Sequence, residues 1–369
     1  MNKFFICYFE TTRRCNLKCV HCMTRKADPG QELSAPEAKK LVIDEIKKIS
    51  PRGAVAFSGG EFLLREDALE LVRYASGQGL FVVINTNGVL FDKKKAKELK
   101  KAAGTRFLLA FSIDSVDKKQ YRMLRDGDLK TIQKAAKVCM KQDIGFFAMV
   151  TISRKNLSTV GKTLEFLQEN KIPILRSPFV PRGSGCNFRE LMFDSNDMEK
   201  TIFPVLRDNY LSYVSYTPFF ADPEKVRAVL DNAGFSLAGL GCQAARGFIA
   251  VSAEGNVAPC VQMLDSSSEC GNVRKKPLSE IVLENPVMIS IRERKGFHGK
   301  CGKCRYLVSC GGCRAMAYYT SGDPLSEDPS CFFNPAEGKP SVHEQKQNEG
   351  LEKFVKDVSG YAQFRDLFG

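Results

Sequence analysis

Over the first half of the chain, short apolar runs alternate with amphipathic stretches. The runs FFICYFET (4–11), AVAFS (54–58), LFVVIN (80–85), RFLLAFSI (106–113), IGFFAMVTI (144–152) and PILRSPF (173–179) are rich in β-branched and aromatic residues and read as strands. Their near-continuous apolar character suits strands covered on both faces. Between them, Ala38, Leu41, Val42, Ile46 and Ile49 fall on one helical face, as do Ile132, Ala135, Ala136, Cys139 and Met140. Ser34 followed by Glu37 predicts a capping box that opens the first of these helices. Six strand–helix repeats imply parallel strands with right-handed crossovers. Periodicity leaves open whether the sheet is flat or curled into a barrel. In either form a ligand site belongs at the C-terminal ends of the strands.

The alternation stops near residue 184. Residues 185–238, rich in Phe, Tyr, Asn and Asp with Pro204, Pro218 and Pro223, read as a connector with one or two helices. Residues 239–335 are dominated by Gly, Cys and turns, and 336–369 read as a polar linker followed by a C-terminal helix. The expected division is therefore 1–184, 185–238, 239–335 and 336–369.

Composition narrows the class. The chain has 369 residues, 43% apolar and 26% charged, which suits a globular protein with a large core. No apolar run approaches a membrane span, and MNKFFICYFE lacks the features of a signal peptide, so the expected location is cytoplasmic, with no membrane partner. Fourteen cysteines in that compartment point to metal binding or catalysis rather than disulfides. The net charge of +13 owes much to FDKKKAKELKKAA (91–103), which reads as a solvated helix face. No motif for nucleic-acid binding accompanies it, and no nucleic-acid partner is expected.

The chemistry is concentrated just after the strands. CNLKCVHC places Cys15, Cys19 and Cys22 after the first. A cubane iron–sulfur cluster is ordinarily held by four thiolates, so three leave one iron open for chemistry. A zinc site completed by His21 or by a distant cysteine is the competing reading. Ser58-Gly59-Gly60-Glu61 closes the second strand, Asn85-Thr86-Asn87-Gly88 the third, and Ser112-Ile113-Asp114, with Arg125 beyond, the fourth. Together they offer a carboxylate, an arginine and hydroxyls to a ligand with an ammonium, a carboxylate and a ribose, and the paired glycines predict close approach of that ligand to the backbone. Neither a G-x-G-x-x-G turn after the first strand nor a Walker A sequence is present.

C-x3-C-x2-C, G-G-E, T-N-G and S-I-D-S in these positions resemble the radical SAM enzymes, over roughly residues 5–180. The resemblance implies a partial (β/α)6 TIM-type barrel within the α/β class. It implies that Cys15, Cys19 and Cys22 hold a [4Fe–4S] cluster whose open iron is chelated by S-adenosyl-L-methionine. By the same likeness Gly59, Gly60 and Glu61 hold the methionine amine, and Ser112 and Asp114 contact the ribose or the carboxylate. Arg125 is the carboxylate partner, with Arg122 as competitor. His21 takes a position usually filled by an aromatic near the adenine, and Asn87 completes the set.

A second cysteine field reads CGKCRYLVSCGGC (301–313), with Cys331 beyond and Cys242 and Cys260 upstream. Its spacing fits neither a zinc ribbon nor the bacterial ferredoxin run. The tract CGGCRAMAYYTSGDPLSEDPSC resembles the SPASM extension of radical SAM enzymes, a Cys-rich C-terminal domain that holds auxiliary clusters. The likeness implies that Cys301, Cys304, Cys310 and Cys331 hold one cluster, and Cys242, Cys260 and Cys313 another. The fourth ligand of the latter is left to Cys270, a substrate atom or nothing. Ser236 stands where sulfatase-maturing members have a cysteine, which argues against that subgroup. Cys7 and Cys139 read as core thiols, and Cys186 as a candidate hydrogen donor at the barrel mouth.

The expected activity is reductive cleavage of S-adenosylmethionine to a 5′-deoxyadenosyl radical for oxidative modification of a ribosomal peptide or protein side chain. That reading calls for a low-potential donor such as a flavodoxin or ferredoxin, and for a separate leader-binding protein. The alternative is oxidative decarboxylation or side-chain removal on a tetrapyrrole, for which Arg176, Arg182 and Arg189 offer cations to an anionic porphyrin. A plain iron–sulfur electron carrier is the reading from another class.

Overall fold

The computed structural model describes residues 5–24, 31–208, 217–220, 241–264, 267 and 269–337. Six parallel strands form its centre: β1 (Ile6–Glu10), β2 (Ala54–Ser58), β3 (Phe81–Thr86), β4 (Phe107–Ser112), β5 (Phe146–Ile152) and β6 (Ile174–Pro178). Each strand lies within two residues of its sequence-predicted bounds. They pair in chain order, and β1 does not pair with β6. The result is the partial (β/α)6 barrel, open along one side.

Strand alternation divides the core into two layers. Cys7, Phe9, Phe57, Val82, Ile84, Leu109 and Phe111 face outward and are buried with Val42, Ile46, Leu71, Val72, Leu99, Ile132 and Leu164 of the surrounding helices. The inner layer consists of Ala54, Ala56, Phe81, Val83, Leu108 and Ala110, with Tyr8, Phe147 and Met149 packed on it. Alanines in three of these places keep the bore from filling. Toward the strand ends the inward positions turn polar: Asn85 follows Val83 by two and pairs in register with Ala110.

The first helix begins with the expected capping box. The Glu37 N–H donates to Ser34 Oγ, and the Ser34 N–H donates to Glu37 Oε2 at 2.9 Å. It then passes through a π-wound segment, Ala38–Ile43, before the α-helical Asp44–Ile49. In the connector, Ser195–Asp197, Met198–Ile202 and Phe203–Asp208 form one helical run. The predicted C-terminal helix lies outside the described residues.

The cysteine-rich half adds to the same sheet. Strand β7 (Phe248–Val251) pairs parallel with the free edge of β1, Ile6 opposite Phe248. β8 (Asn256–Ala258) and β9 (Gly271–Asn272) follow antiparallel, giving the order β6-β5-β4-β3-β2-β1-β7-β8-β9. Sequence reading foresaw only turns here, because strands of four, three and two residues carry too little periodic signal. Their effect is to cover the β1 edge and to set the second cysteine field beside the barrel.

Candidate active site and auxiliary cysteine sites

The CNLKCVHC loop leaves the C-terminal end of β1 and is fastened from three sides. The turn after β2 reaches it first: Gly60 N–H donates to Thr12 O at 2.8 Å, and Glu61 N–H to Arg14 O at 2.9 Å. Gly59 has φ +124°, and a Cβ on Gly60 would lie 2.1 Å from Arg14 O. These glycines therefore admit the chain's own Thr12–Arg14 backbone. The Gly60 and Glu61 amides are spent on that contact, so an ammonium docking here would meet carbonyl oxygens or the Glu61 carboxylate.

Glu61 is fully buried. Its carboxylate accepts from Thr86 Oγ1 at 3.0 Å, Asn87 N at 2.8 Å and Leu63 N at 3.2 Å. Burial pushes its pKa up to about 7, against the pull of these three donors. Asn87 provides the second fastening: its Nδ2 donates to Asn16 Oδ1 at 2.7 Å and lies 3.9 Å from Cys15 Sγ. The Leu17 N–H points at the same sulfur from 3.5 Å. Donors aimed at a sulfur favour its thiolate form, the form that binds iron.

The third fastening joins the loop to β4 and the segment after it. Val20 N donates to Leu124 O, Lys18 N to Asp126 Oδ2, and His21 Nδ1 lies 3.0 Å from Leu124 O. His21 Nε2 is 3.0 Å from Asp114 Oδ2, which also receives Arg125 Nε at 2.6 Å; Asp114 Oδ1 accepts Thr151 N at 2.8 Å. Burial alone would raise the Asp114 pKa, but Arg125 and His21 outweigh it and hold the carboxyl well below its usual range. Asp114 is thus enclosed and saturated by protein donors, and serves to position His21 and Arg125. Of the two candidate arginines, Arg122 is exposed and paired with Asp128, whereas Arg125 stands beside Cys19. Burial raises the Cys19 thiol, and the Arg125 charge and the Asp126 N–H pull it back. Ser112 ends β4, half-buried, its carbonyl 3.4 Å from the Tyr121 hydroxyl.

Motif reading quoted Asn85 at the close of the third strand but gave it no role of its own. Both amide atoms of Asn85 are buried without a hydrogen-bond partner, near the Tyr8 hydroxyl, which donates instead to Met149 Sδ. A buried, unsatisfied amide on the inner face, just below Cys15 and Glu61, fits a bore that receives a polar ligand. The signal lay in strand alternation, since Asn85 interrupts the inward row Phe81, Val83.

Arg182 does not wait for an anionic substrate. Its Nη1 and Nη2 meet Glu10 Oε1 and Oε2 at 2.8 and 2.9 Å, both side chains buried, and Nη1 also donates to Val261 O at 2.8 Å. The pair ties β1 and the segment after β6 to the cysteine-rich half. Arg176 is buried, and only Arg189 of the three is exposed. Cys186 is exposed, on a turn whose Gly185 N–H donates to Cys22 O. Cys7 and Cys139 are buried in the core, their thiols raised by burial.

In the second field the structure brings Cys301, Cys304, Cys310 and Cys331 around one cavity, with Phe220, Tyr306 and Phe333 in its wall and about 400 Å³ of space partly open to solvent. Cys310 Sγ faces the N–H groups of Phe219 (3.2 Å) and Gly312 (3.4 Å), and Cys301 Sγ faces Asp328 N (3.4 Å) and Arg314 Nη2 (3.6 Å). Cys242, Cys260 and Cys313 form the other group, each within electrostatic reach of another. The Cys270 thiol is pushed up to about 12 by burial and by Glu269. The two groups abut, since Cys242 N–H donates to Cys310 O at 2.8 Å. Among the described residues no three His, Cys, Asp or Glu side chains close on a point suited to a single ion. A polynuclear cluster, in which each thiolate takes a different iron, asks for ligands spread around a cavity, as found here.

Comparison with known proteins finds two family matches along the chain. Residues 9–167 match the radical SAM superfamily, and residues 242–311 match an iron–sulfur cluster-binding domain, SPASM. An AdoMet-dependent heme synthase of Methanosarcina barkeri is 32% identical over 89% of this chain and 96% of its own. Mycofactocin maturase MftC of Mycobacterium tuberculosis is 28% identical over 88% of this chain and 81% of its own. The fold is shared with SuiB of Streptococcus suis, solved with S-adenosylmethionine, at TM-score 0.66 and 19% identity over 89% of this chain and 77% of that one. The cofactors are [4Fe–4S] clusters and S-adenosylmethionine. This chain belongs to the radical SAM superfamily, as an enzyme whose barrel is joined to a C-terminal SPASM domain.

Proposed function

We propose that the enzyme acts on a tetrapyrrole, removing carboxyl groups oxidatively from its propionate side chains. The observation that carries this reading is the 32% identity spanning 96% of an AdoMet-dependent heme synthase. It reverses the order expected from sequence, which placed peptide or protein modification first. When bound, the clusters and S-adenosylmethionine supply a hydrogen-abstracting radical and a sink for the electron that follows. Cys15, Cys19 and Cys22 would hold the S-adenosylmethionine cluster, Cys301, Cys304, Cys310 and Cys331 one auxiliary cluster, and Cys242, Cys260 and Cys313 the other.

The remaining residues shape the site. Glu61 would accept the methionine amine and Arg125 would pair with its carboxylate. Asp114 holds Arg125 and His21 in place from behind. Asn87 steadies Cys15, and Ser112 would contact the ribose. Asn85 and Tyr8 present polar groups in an otherwise apolar bore, which keeps bulk water from a reactive radical. The reducing equivalent comes from a low-potential carrier of the flavodoxin or ferredoxin type.

The test is anaerobic turnover with an iron porphyrin bearing propionates, S-adenosylmethionine and dithionite. The expected products are 5′-deoxyadenosine and a porphyrin that has lost carbon dioxide and two hydrogen atoms per side chain. 5′-Deoxyadenosine without change in the porphyrin would reject the substrate while retaining the chemistry. A peptide substrate, delivered by a leader-binding partner, is the second reading, favoured by the likeness to MftC.

A further inference from the structure

Two cations sit inside the second cysteine field without an anion of their own. Arg314 is fully buried. Its Nε donates to Gly312 O (3.1 Å), its Nη1 to Pro324 O (3.0 Å) and Ser326 O (2.6 Å), and its Nη2 faces Cys301 Sγ. Arg294 is buried as well. Its Nη1 donates to Ile291 O (3.2 Å) and its Nη2 to Cys242 O (2.5 Å), and its Nε has no partner. Neither guanidinium has a carboxylate within ion-pair distance among the described residues. The nearby Asp328 spends its oxygens on Cys313 N, Ser330 N and Ser330 Oγ, and Asp323 bonds His298 at the surface.

The link between the two cysteine groups is built around these cations. Cys310 belongs to one group and Cys313 to the other, with Gly311 and Gly312 between them. A Cβ on Gly311 would lie 2.2 Å from Arg294 Cζ, and a Cβ on Gly312 would lie 2.4 Å from Arg314 Nη2. Each glycine thus seats one guanidinium against the backbone. Arg294 itself has φ +58°, a left-handed conformation that a β-carbon disfavours, at the end of helix Pro286–Glu293. A buried charge is retained only when something of opposite sign compensates it. Thiolate-ligated clusters on either side of the glycine pair supply that sign.

We propose that Arg294 and Arg314 set the reduction potentials of the two auxiliary clusters, their buried charges favouring the electron-rich form at the joint where the clusters meet. Burial strengthens the interaction of a fixed charge with an added electron, and charge near a cluster is one of the levers that set its potential. Two clusters joined through Cys310–Cys313 and kept at raised potential would accept the electron released after hydrogen abstraction. Both arginines are positioning residues that touch no substrate.

The inference rests on the cysteine assignment above, and the experiment separates the two. Full-length protein carrying C15A, C19A and C22A, reconstituted anaerobically, isolates the auxiliary clusters for iron analysis and a redox titration followed by electron paramagnetic resonance. R294M and R314M, added to that background, are expected to lower a midpoint by at least a tenfold change in the reduction equilibrium, about 59 mV for one electron. R294K, which keeps the charge, should stay near the parent. Loss of iron from R294M but not from R294K also supports the charge requirement. Unchanged midpoints in both methionine variants with full iron, or equal iron loss from R294M and R294K, would overturn the proposal. A parent that takes up no auxiliary iron refutes the cysteine assignment, and the proposal with it.

Discussion

Changing Asp114 to Asn keeps the shape of the side chain and removes its charge. Arg125 at 2.6 Å and His21 at 3.0 Å would then share a neutral oxygen in an enclosed site, and the amide nitrogen would face the Thr151 N–H, which loses its acceptor. Removing one partner of a buried ion pair costs about 3–5 kcal/mol. At roughly 2–4 °C per kcal/mol for a unit of this size, the melting temperature at pH 7 should fall by about 6–20 °C. Circular dichroism melts of cluster-free protein measure this directly. The pH dependence adds a signature. Unfolded aspartate titrates near 3.9, whereas Asp114 in the fold titrates lower, because Arg125 and His21 outweigh the effect of burial. Its stabilisation is therefore fully present above about pH 4 and is lost as the pH falls below that value. The gap between wild type and D114N should narrow in acid. A melting temperature within about 2 °C of wild type at pH 7, or a gap that widens in acid, would refute the reasoning.

Four further outcomes are expected. G60A places a methyl 2.1 Å from Arg14 O; the iron of the first cluster should be lost with the auxiliary iron retained, and 5′-deoxyadenosine formation should drop by about 10²-fold or more. Glu61 titrates higher in the fold, at about 7, than its unfolded value near 4.3, so wild type should lose stability relative to E61Q as the pH rises from about 5 to 8, by up to about 3 kcal/mol. Denaturant midpoints across that range check it, and a flat difference would contradict it. R182M leaves the buried Glu10 with the longer contact to Arg13, at 3.5 Å, and should destabilise the protein by about 3 kcal/mol in the same assay. C270A should keep its full iron complement, whereas C313A should lose one cluster's worth, as measured by iron and sulfide analysis.

The six central strands were legible because parallel strands buried on both faces leave long apolar runs, and each residue of such a run reports the same environment. The short strands β7–β9 left no such trace. Motif spacing located the three cysteine groups but not how they touch: the bond from Cys242 N to Cys310 O spans 68 residues. Glycine announces that something comes close, not what comes. Gly59 and Gly60 turned out to meet Thr12 and Arg14. Charged residues were hardest to place, since their partners are distant in sequence. Arg182 looked available to a substrate and is bound to Glu10, 172 residues away; Asp114 looked like a ligand contact and is closed off by His21, Arg125 and Thr151.

The central claim is that the loop of Cys15, Cys19 and Cys22 holds the cluster at which S-adenosylmethionine is cleaved. Quantifying 5′-deoxyadenosine from anaerobically reconstituted protein with dithionite, for wild type and for the C15A/C19A/C22A variant, tests it most directly. Wild type should release the nucleoside, and the variant should release none while keeping its auxiliary iron. Release by the variant, or none from wild type with its clusters in place, would contradict the account.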